Sequence, residues 1–212
     1  DLIMQLGSVI QREVDTLKDV SQNIANANTP GYRATRAFSA FADVVPAQGV
    51  APGLSGIESR ASIKTEGGVL QLTGRPTDLA VSGDAWFVVQ TPQGQQLTRD
   101  GRFRLDGTGQ LVNQAGYPLL GLNGPLTIGH GVLKVDATGE VSVDGQTQGQ
   151  LKIVRVADSN TIAASGSGLY TTSAPLLITD RYVVQQGMQE RSNADLGTDM
   201  VKIMEVSRHI ES

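Results

Sequence analysis

The spacing of apolar residues changes twice along this chain, and the change limits the folds that the chain can adopt. Near the N-terminus, apolar residues recur at alternating steps of three and four, the heptad spacing of a helix that packs along a narrow seam. The same spacing returns at the C-terminus. Between about residues 61 and 179, short β-branched or alternating runs are separated by turn residues, as in β-strands. The sequence therefore predicts a β domain with a helix at each end.

The N-terminal pattern predicts a helix from residue 2 to about residue 27. This stretch has no Pro, and its one Gly, Gly7, lies near the start. Glu13 takes the one missing heptad place, and the opposite face carries charges of both signs. A helix of this length is long for a small β domain to cover, although packing on its own domain remains the alternative. The predicted seam consists of Ile3, Leu6, Ile10, Leu17, Val20 and Ile24.

The C-terminal region predicts a second helix, preceded by an extended segment at residues 181–188. Asp195 is placed to cap a helix that begins at Leu196, and Ser207 takes the missing heptad place. The most economical partners of the two seams are each other and copies of themselves, so we expect the helices to pair in the manner of a coiled coil. The second seam consists of Leu196, Met200, Ile203 and Ile210.

An Asn-rich turn follows the first helix. Pro30 cannot continue a helix, and Gly31 permits a positive φ, so the chain must turn here. The asparagine amides can bond backbone groups at the helix end or reach a partner chain, and an ordinary C-cap and an assembly contact both remain open. The candidate interface residues in this turn are Asn23, Asn26, Asn28, Thr29, Pro30, Gly31 and Tyr32.

The middle of the chain divides into a linker and a β domain. Two Pro and three Gly between residues 46 and 56 predict a linker or adaptable loop at 36–60. An Asp-x-Thr-Gly sequence occurs at 106–109 and again at 136–139, which predicts two similar hairpins. The expected fold is α+β, mainly β, with an elongated domain of short antiparallel strands. Its expected parts are 1–35 for the N-terminal helix and turn, 36–60 for the linker, 61–191 for the β domain and 192–212 for the C-terminal helix.

The composition and the motifs argue against several classes of functional site. The net charge is −4 and the chain has no Cys, which argues against a nucleic-acid surface and excludes thiolate chemistry. The two His residues have no metal-ligand spacing, and no nucleophile, phosphate loop or carboxylate pair is recognisable. We expect no catalytic residue, no metal, no cofactor and no small-molecule substrate. The basic run at 99–104 is interpreted as a solvated hairpin, and Trp86 as a core residue.

Several segments resemble the axial proteins of the bacterial flagellar rod and hook. The most specific is QNIANANTPGYR at 22–33, which is similar to the N-terminal signature of that family. The segment RPTDLAV at 75–81 and the short middle region are most similar to a proximal rod protein. The other matching segments are GDAWFVV at 83–89, LTRDGRF at 97–103, GQLV at 109–112, GYPL at 116–119, SN at 192–193 and MVKIMEVSR at 200–208.

The resemblance implies a structural subunit rather than an enzyme. In this family the terminal helices pair and pack against neighbouring subunits to line a tube, and the β domain forms the outer wall of a hollow rod. The implied partners are other rod and hook-type axial proteins and the flagellar export apparatus. The implied location is the periplasmic part of the basal body, reached by type III export without a cleaved signal peptide. Family members extend their last helix beyond the position of Arg208, so this helix is expected to be truncated or shortened.

A different class of protein remains the alternative. Gly-rich strands with Asp-Thr-Gly turns are also common in secreted or surface β-domain adhesins and binding modules, and helical ends can produce a small oligomer. The N-terminal signature favours the flagellar interpretation over this one.

Overall fold

The computed structural model describes residues 2–41, 57–129 and 131–211. Helix α1 runs from Leu2–Ala25 and helix α2 from Leu196–Glu211, with short strands between them. The bounds of both helices agree with the heptad patterns. The predicted class, mainly β with a helix at each end, is confirmed.

The strands are short and antiparallel throughout the described residues. The first group is β1 (Thr35–Phe41), β2 (Ile57–Ile63), β3 (Leu70–Leu72), β4 (Leu79–Val81), β5 (Trp86–Thr91), β6 (Gly94–Thr98), β7 (Arg104–Leu105), β8 (Leu111–Val112), β9 (Leu120–Gly121) and β10 (Gly124–Pro125). The second group is β11 (Leu133–Val135), β12 (Glu140–Val143), β13 (Gln146–Gln150), β14 (Ile153–Val156), β15 (Ile162–Gly166), β16 (Leu169–Thr172), β17 (Leu176–Ile178), β18 (Val184–Gln186) and β19 (Met188–Glu190).

A six-stranded sheet in the order β15-β16-β6-β5-β14-β17 forms the centre of the β domain. Strand β5 is buried on both faces, because Phe87 and Val89 belong to one apolar cluster while Trp86 and Val88 belong to the other. This explains why the sequence of β5 is apolar throughout most of its length. Around the sheet lie a three-stranded sheet, β11-β12-β13, and several two-stranded pairs.

The two Asp-x-Thr-Gly sequences form the same turn, as predicted. In each, the Asp carboxylate accepts hydrogen bonds from the backbone N–H groups two and four residues ahead, for Asp106 from Thr108 and Gln110 at 2.8 and 2.9 Å. Asp136 accepts the equivalent pair, both at 2.9 Å. The pKa of Asp106 is lowered mainly by the bond from the Gln110 N–H, and that of Asp136 mainly by the bond from the Thr138 hydroxyl, which donates to its Oδ1 at 2.7 Å. The turns connect β7 to β8 and β11 to β12.

The structure differs from the expected linker at residues 36–60. Strands β1 and β2 pair from Thr35 with Ile63 to Phe41 with Ile57. Neither strand contains Pro or Gly, since the residues that predicted a linker all lie at 46–56, outside the described residues. The alternation of apolar and polar residues in β2 was a strand pattern that the nearby turn residues concealed.

Helix α1 packs against β1, β2 and α2. Both helices extend from one junction, where the turn after α1 meets the segment before α2. The two helices therefore run antiparallel from a common base. No described helix is long and apolar enough to cross a membrane.

Candidate assembly interface

Asn23, in the last turn of α1, joins the helix to the first strand. Its side-chain Nδ2 donates to the carbonyl oxygen of Thr35 at 3.0 Å, and its Oδ1 accepts from the N–H of Thr35 at 2.9 Å. The hydroxyl of Tyr32 donates to the same Oδ1 at 3.1 Å. One buried amide thus pairs with both backbone groups of a strand residue, as a neighbouring strand would. The Asn-rich turn has a structural task within the chain.

Gly31 is required where the turn meets the β domain. Its φ is +68°, and a Cβ placed on it would lie 2.2 Å from the backbone nitrogen of Asp100. Its N–H donates to the carbonyl oxygen of Glu190 at 2.8 Å. Any side chain at this position would force the turn away from the β domain.

A buried ion cluster lies beneath the turn. Glu190 accepts from Arg33 at 2.7 Å through Oε1 and from Arg99 at 3.2 Å through Oε2. All three side chains are at most 2% exposed. The Trp86 ring lies near both guanidinium groups, with its centroid 5.8 Å from Arg33 Cζ and 5.4 Å from Arg99 Cζ. One carboxylate from near the C-terminus therefore pairs with two cations, one from near the N-terminus and one from the middle of the sequence.

Backbone carbonyl groups complete the shell around these cations. Arg33 Nη1 donates to the Glu66 carbonyl, and Arg99 donates to those of Val81 and Gly83. Burial, with the nearby charge of Arg33, lowers the pKa of Arg99 to about 10. Within the described residues, Nε of both arginines and Nη2 of Arg33 have no hydrogen-bond partner.

Tyr170 closes the cluster on another side. Its hydroxyl accepts from the Arg33 backbone N–H at 2.8 Å, and burial raises its pKa to about 12. Its ring packs on Trp86 with 5.1 Å between the ring centroids. The tyrosine therefore stays neutral and serves as a fixed acceptor for the chain leaving the turn.

Asn193 joins the segment before α2 to the turn that follows α1. Its Oδ1 accepts from the N–H of Ala34 at 2.6 Å, and its Nδ2 donates to the Glu66 carbonyl at 2.7 Å. Its own N–H donates to the Tyr32 carbonyl at 3.2 Å. The bases of α1 and α2 are thus joined to each other and to the β domain through one junction, defined here as Asn23, Gly31, Tyr32, Arg33, Arg99, Glu190 and Asn193.

Beyond this junction, the inner faces of the helices carry both apolar and polar groups. Val20 and Val206 are buried, and so is the carboxylate-bearing Asp199. Burial raises the pKa of Asp19, and the charge of Lys202 on α2 acts in the opposite direction. The hydroxyl of Tyr32 also has a raised pKa, mainly because of burial. The contact between the helices is therefore partly polar.

Asp195 caps α2 as predicted. Its Oδ1 accepts from the N–H groups of Gly197 and Thr198 at 3.1 and 3.2 Å, and its Oδ2 accepts from the Thr198 hydroxyl at 2.7 Å. These bonds, led by that of the Thr198 side chain, lower the pKa of Asp195.

The predicted seam residues fall into three groups. Val20 is buried, as are Asn23, Gly31 and Tyr32 of the turn. The half-buried group is Leu17, Ile24, Asn26, Thr29, Pro30 and Ile203. The exposed group is Ile10 (55%), Asn28, Leu196 (40%) and Met200 (53%). Ile3, Leu6 and Ile210 lie within the helices, but their side chains are outside the described ones.

Further large apolar side chains extend the exposed group. Val14 on α1 and Val201 and Met204 on α2 are each about half exposed, at 51%, 49% and 53%. Helix surfaces of a self-sufficient domain rarely carry such a set. We name Ile10, Val14, Leu196, Met200, Val201 and Met204 the exposed helix faces.

Sequence reasoning missed the ion cluster. Arg99 was interpreted as part of a solvated hairpin, yet it is 2% exposed, while Arg102 of the same run pairs with Asp100 at 2.7 Å on the surface. Glu190 was not singled out at all. The available signal was the position of Arg99 beside Thr98 and Leu97, a buried strand end, and of Glu190 at the end of an extended segment. Trp86 is a core residue, as predicted.

Among residues 2–41, 57–129 and 131–211, no group of three His, Asp or Glu side chains could hold a metal ion. His130 lies outside the described residues. The arrangement that stands out chemically is a firm internal junction beside exposed apolar helix faces, which suits assembly.

Known proteins with similar sequences have related names. The family model described as "Flagellar hook protein FlgE/F/G D1 domain" matches residues 80–167. Flagellar basal-body rod protein FlgF of Mesorhizobium japonicum is 33% identical over 209 residues, covering 96% of this chain and 85% of that protein. FlgF of Caulobacter vibrioides is 35% identical over 212 residues, with the same coverage. Flagellar basal-body rod protein FlgG of Bacillus subtilis is 32% identical over 225 residues, covering 91% and 84%.

The chain belongs to the flagellar basal-body rod and hook protein family. This family is structural rather than enzymatic. The comparisons place the chain among rod proteins of the basal body and give no support to a surface adhesin.

Proposed function

We propose that this chain is a subunit of the basal-body rod that joins its neighbours through α1 and α2, and that it takes the proximal rather than the distal position. The resemblance of residues 75–81 to a proximal rod protein supports this position. The chain is also more similar to the relatives named FlgF, at 33–35% identity over 96% of the chain, than to those named FlgG, at 30–32% over 91%. The observation that carries the assembly mode is the set of exposed helix faces on two helices fixed to one base.

The physical argument concerns what the helices leave uncovered. Val20 and Val206 supply the buried part of the intramolecular contact, whereas Met200 and Ile10 keep more than half of their surfaces in water. Fully burying an exposed side chain of this kind contributes roughly 1.5–3 kcal/mol, so covering the exposed half of Met200 or Ile10 contributes about half of that. In our proposal the heptad seams pair as a coiled coil within a multi-helix tube, and the β domain lies outside it.

The proposed role as a rod subunit also implies partner proteins, a location and a route of export. We infer that the partners are other rod and hook-type axial proteins, that the location is the periplasmic section of the rod, and that the flagellar export apparatus delivers the chain. Membership in the rod family supports these inferences. A secretion assay in a strain that lacks the export apparatus tests the route, because loss of the extracytoplasmic protein is expected there.

Deletion of the gene tests the role directly. We expect loss of swimming, with basal-body rings but no complete rod by electron microscopy, and restoration of both by the wild-type gene. Intact rods in the deletion strain would contradict the proposal unless a second copy of the gene were present, which a double deletion resolves.

Leu17→Asp tests the seam. Leu17 is half-buried on α1, and a charge there should block packing of the helices while the β domain stays folded. Complementation of the deletion strain with this variant is expected to give no rod, with a near-native near-UV spectrum of the purified protein. Ser21→Asp, at an exposed position of the same helix, is the matched control and should restore rods. Rods from the Leu17→Asp strain would contradict the seam assignment.

A further inference from the structure

An open apolar cleft lies on the β domain, away from the junction. It has a volume of about 840 Å³ and is bordered by Leu122, Ile178, Tyr182 and Val183. Three of these residues are exposed to water, at 47% for Leu122, 72% for Ile178 and 45% for Val183. Among the described residues that line the cleft, Asp180 is the charged one. Such a surface is suited to an apolar side chain that arrives beside a cation.

The same domain carries an apolar side chain that projects into solvent. Leu72, at the end of β3, is 72% exposed, and Arg75 follows it in an exposed turn. Strand β3 pairs with β19 on one side, and β17 beside the cleft pairs with β14 on one side. Among the described strands, each patch therefore borders one whose second edge is unpaired, which is a place where another chain can pair.

Charge distinguishes Leu72 from the other projecting residues of the β domain. Val132 is 75% exposed, but its N–H is bonded by the carboxylate of Asp144, an acid like Asp180. Val69 is 74% exposed, follows the acid Glu66 by three residues, and accepts through its carbonyl oxygen from the N–H of the base Arg191. Leu72 with Arg75 complements a cleft whose charged group is a carboxylate.

Leu72 cannot fill the cleft of its own chain. It pairs with Met188, whereas Val183 at the cleft bonds to Ser82. Leu72 does not line the cleft of its own chain, and between Val183 and Met188 the chain is interrupted by a positive φ of +76° at Gly187. A contact between Leu72 and the cleft is therefore one between two molecules.

We propose that Leu72 of one copy inserts into this cleft of a second copy, with Arg75 facing Asp180. Because the contact joins two different patches, every dimer keeps one free Leu72 patch and one free cleft. Further subunits can therefore add at both ends, which gives an open row of subunits rather than a closed ring. The proposal rests on the proposed function, since it gives the wall-forming β domain a lengthwise contact that is separate from the helices.

The absence of Cys from the sequence permits a direct test by disulfide trapping. Full-length Leu72→Cys protein is mixed with full-length Ile178→Cys protein, oxidised, and analysed by non-reducing electrophoresis. We expect a mixed dimer at a yield roughly tenfold above that of Leu72→Cys mixed with Val132→Cys, because two sulfurs cross-link only when their Cβ atoms come within about 4.5 Å. Val132 is as exposed as Leu72 and serves as the matched control.

A double variant and a charge exchange sharpen the test. A chain with both Leu72→Cys and Ile178→Cys should give a ladder of trimers and larger species. Arg75→Asp and Asp180→Arg should each reduce the mixed dimer, and a mixture in which the Leu72→Cys protein carries Arg75→Asp and its partner carries Asp180→Arg should recover it. Circular dichroism of every variant verifies the fold.

Three results would overturn the proposal. They are mixed dimers no more abundant than with Val132→Cys, cross-links that form only between identical Leu72→Cys chains, and capture of a different rod protein, but not of this chain, by Ile178→Cys in basal bodies. Repeating the trapping in the Leu17→Asp background separates this proposal from the helix-based function. The cross-link should persist there although rod formation is lost, so each proposal can fail while the other stands.

Discussion

The junction buries charged side chains, whereas the exposed helix faces leave apolar side chains in water. At the junction the chain buries two arginines and a glutamate, each at most 2% exposed, whereas on the helices it leaves Met200 and Ile10 more than half exposed. The junction obtains most of its hydrogen bonds within the chain, from backbone carbonyls and one carboxylate. The helix faces have no comparable cover in the described part of the chain. The difference separates what this chain stabilises alone from what it leaves for another subunit.

That separation has a mechanical consequence for a rod subunit. Helix α1 ends and helix α2 begins at a base fixed to the β domain by Gly31, Arg33 and Asn193, so a load on the helices is passed to the domain through a short path of buried contacts. A buried ion pair is weak evidence for net stability, but losing one member leaves charge without a partner. The predictions below test whether the two regions are as independent as this comparison implies.

Glu190→Ala should have the largest effect on stability. It leaves Arg33 and Arg99 buried without their shared carboxylate, and we expect a loss of about 3–5 kcal/mol in the free energy of unfolding. Urea denaturation of the full chain measures it. Glu205→Ala, at an exposed position of α2, is the control and should change little. Equal effects of the two changes would show that the ion cluster is not the centre of the junction.

Asn23→Ala should have the next largest effect. It removes the amide that bonds both backbone groups of Thr35, and we expect a loss of about 1–3 kcal/mol. Asn28→Ala, in the same turn but exposed, should be nearly neutral. If Asn28→Ala proves as damaging as Asn23→Ala in urea denaturation, the turn depends on contacts other than this amide.

Asp195→Ala should give a smaller and pH-dependent loss. Because folding lowers the pKa of Asp195, its contribution is fully present above the ordinary value of 3.8 and is lost as the pH falls through the lower folded value. Thermal unfolding followed by circular dichroism should therefore show the variant less stable than the wild type at neutral pH, with a gap that narrows on acidification below 3.8. Asp195→Asn keeps a capping oxygen without the titration, so it should lose less stability at neutral pH. A stability difference between Asp195→Ala and the wild type that does not change with pH would show that the charge of Asp195 does not contribute to the cap.

Met200→Asp should have the smallest effect on the isolated chain. Met200 is 53% exposed, so we expect the free energy of unfolding to stay within about 0.5 kcal/mol of the wild type. Recovery of rods in a complementation assay should nevertheless fail, because the charge would be buried against the neighbouring subunit. Val132→Asp, at a more exposed position (75%) on the β domain, is the control and should restore rods. Rods formed normally by Met200→Asp would remove this residue from the interface.

Local features of the fold could be predicted because each depends on neighbours in sequence. Asp195 caps α2 through groups two and three residues ahead, and Asp106 and Asp136 build their turns within four residues. Pro30 with Gly31 marks the end of α1 for the same reason. Strands β1 and β2 were missed because the Pro and Gly residues of the intervening segment dominated the pattern at 36–60.

The sequence by itself determined the two helices, their caps, the turn residues and the resemblance to rod proteins, because heptad spacing, capping and turn conformation are set by short-range contacts. Only the tertiary structure decided which charged residues are buried. Arg99 and Glu190 are 91 residues apart, and no local pattern pairs one with the other. They pair because the fold brings the end of β6 beside the end of β19. The buried cation is tolerated there because a carboxylate, two backbone carbonyl groups and an indole ring surround it.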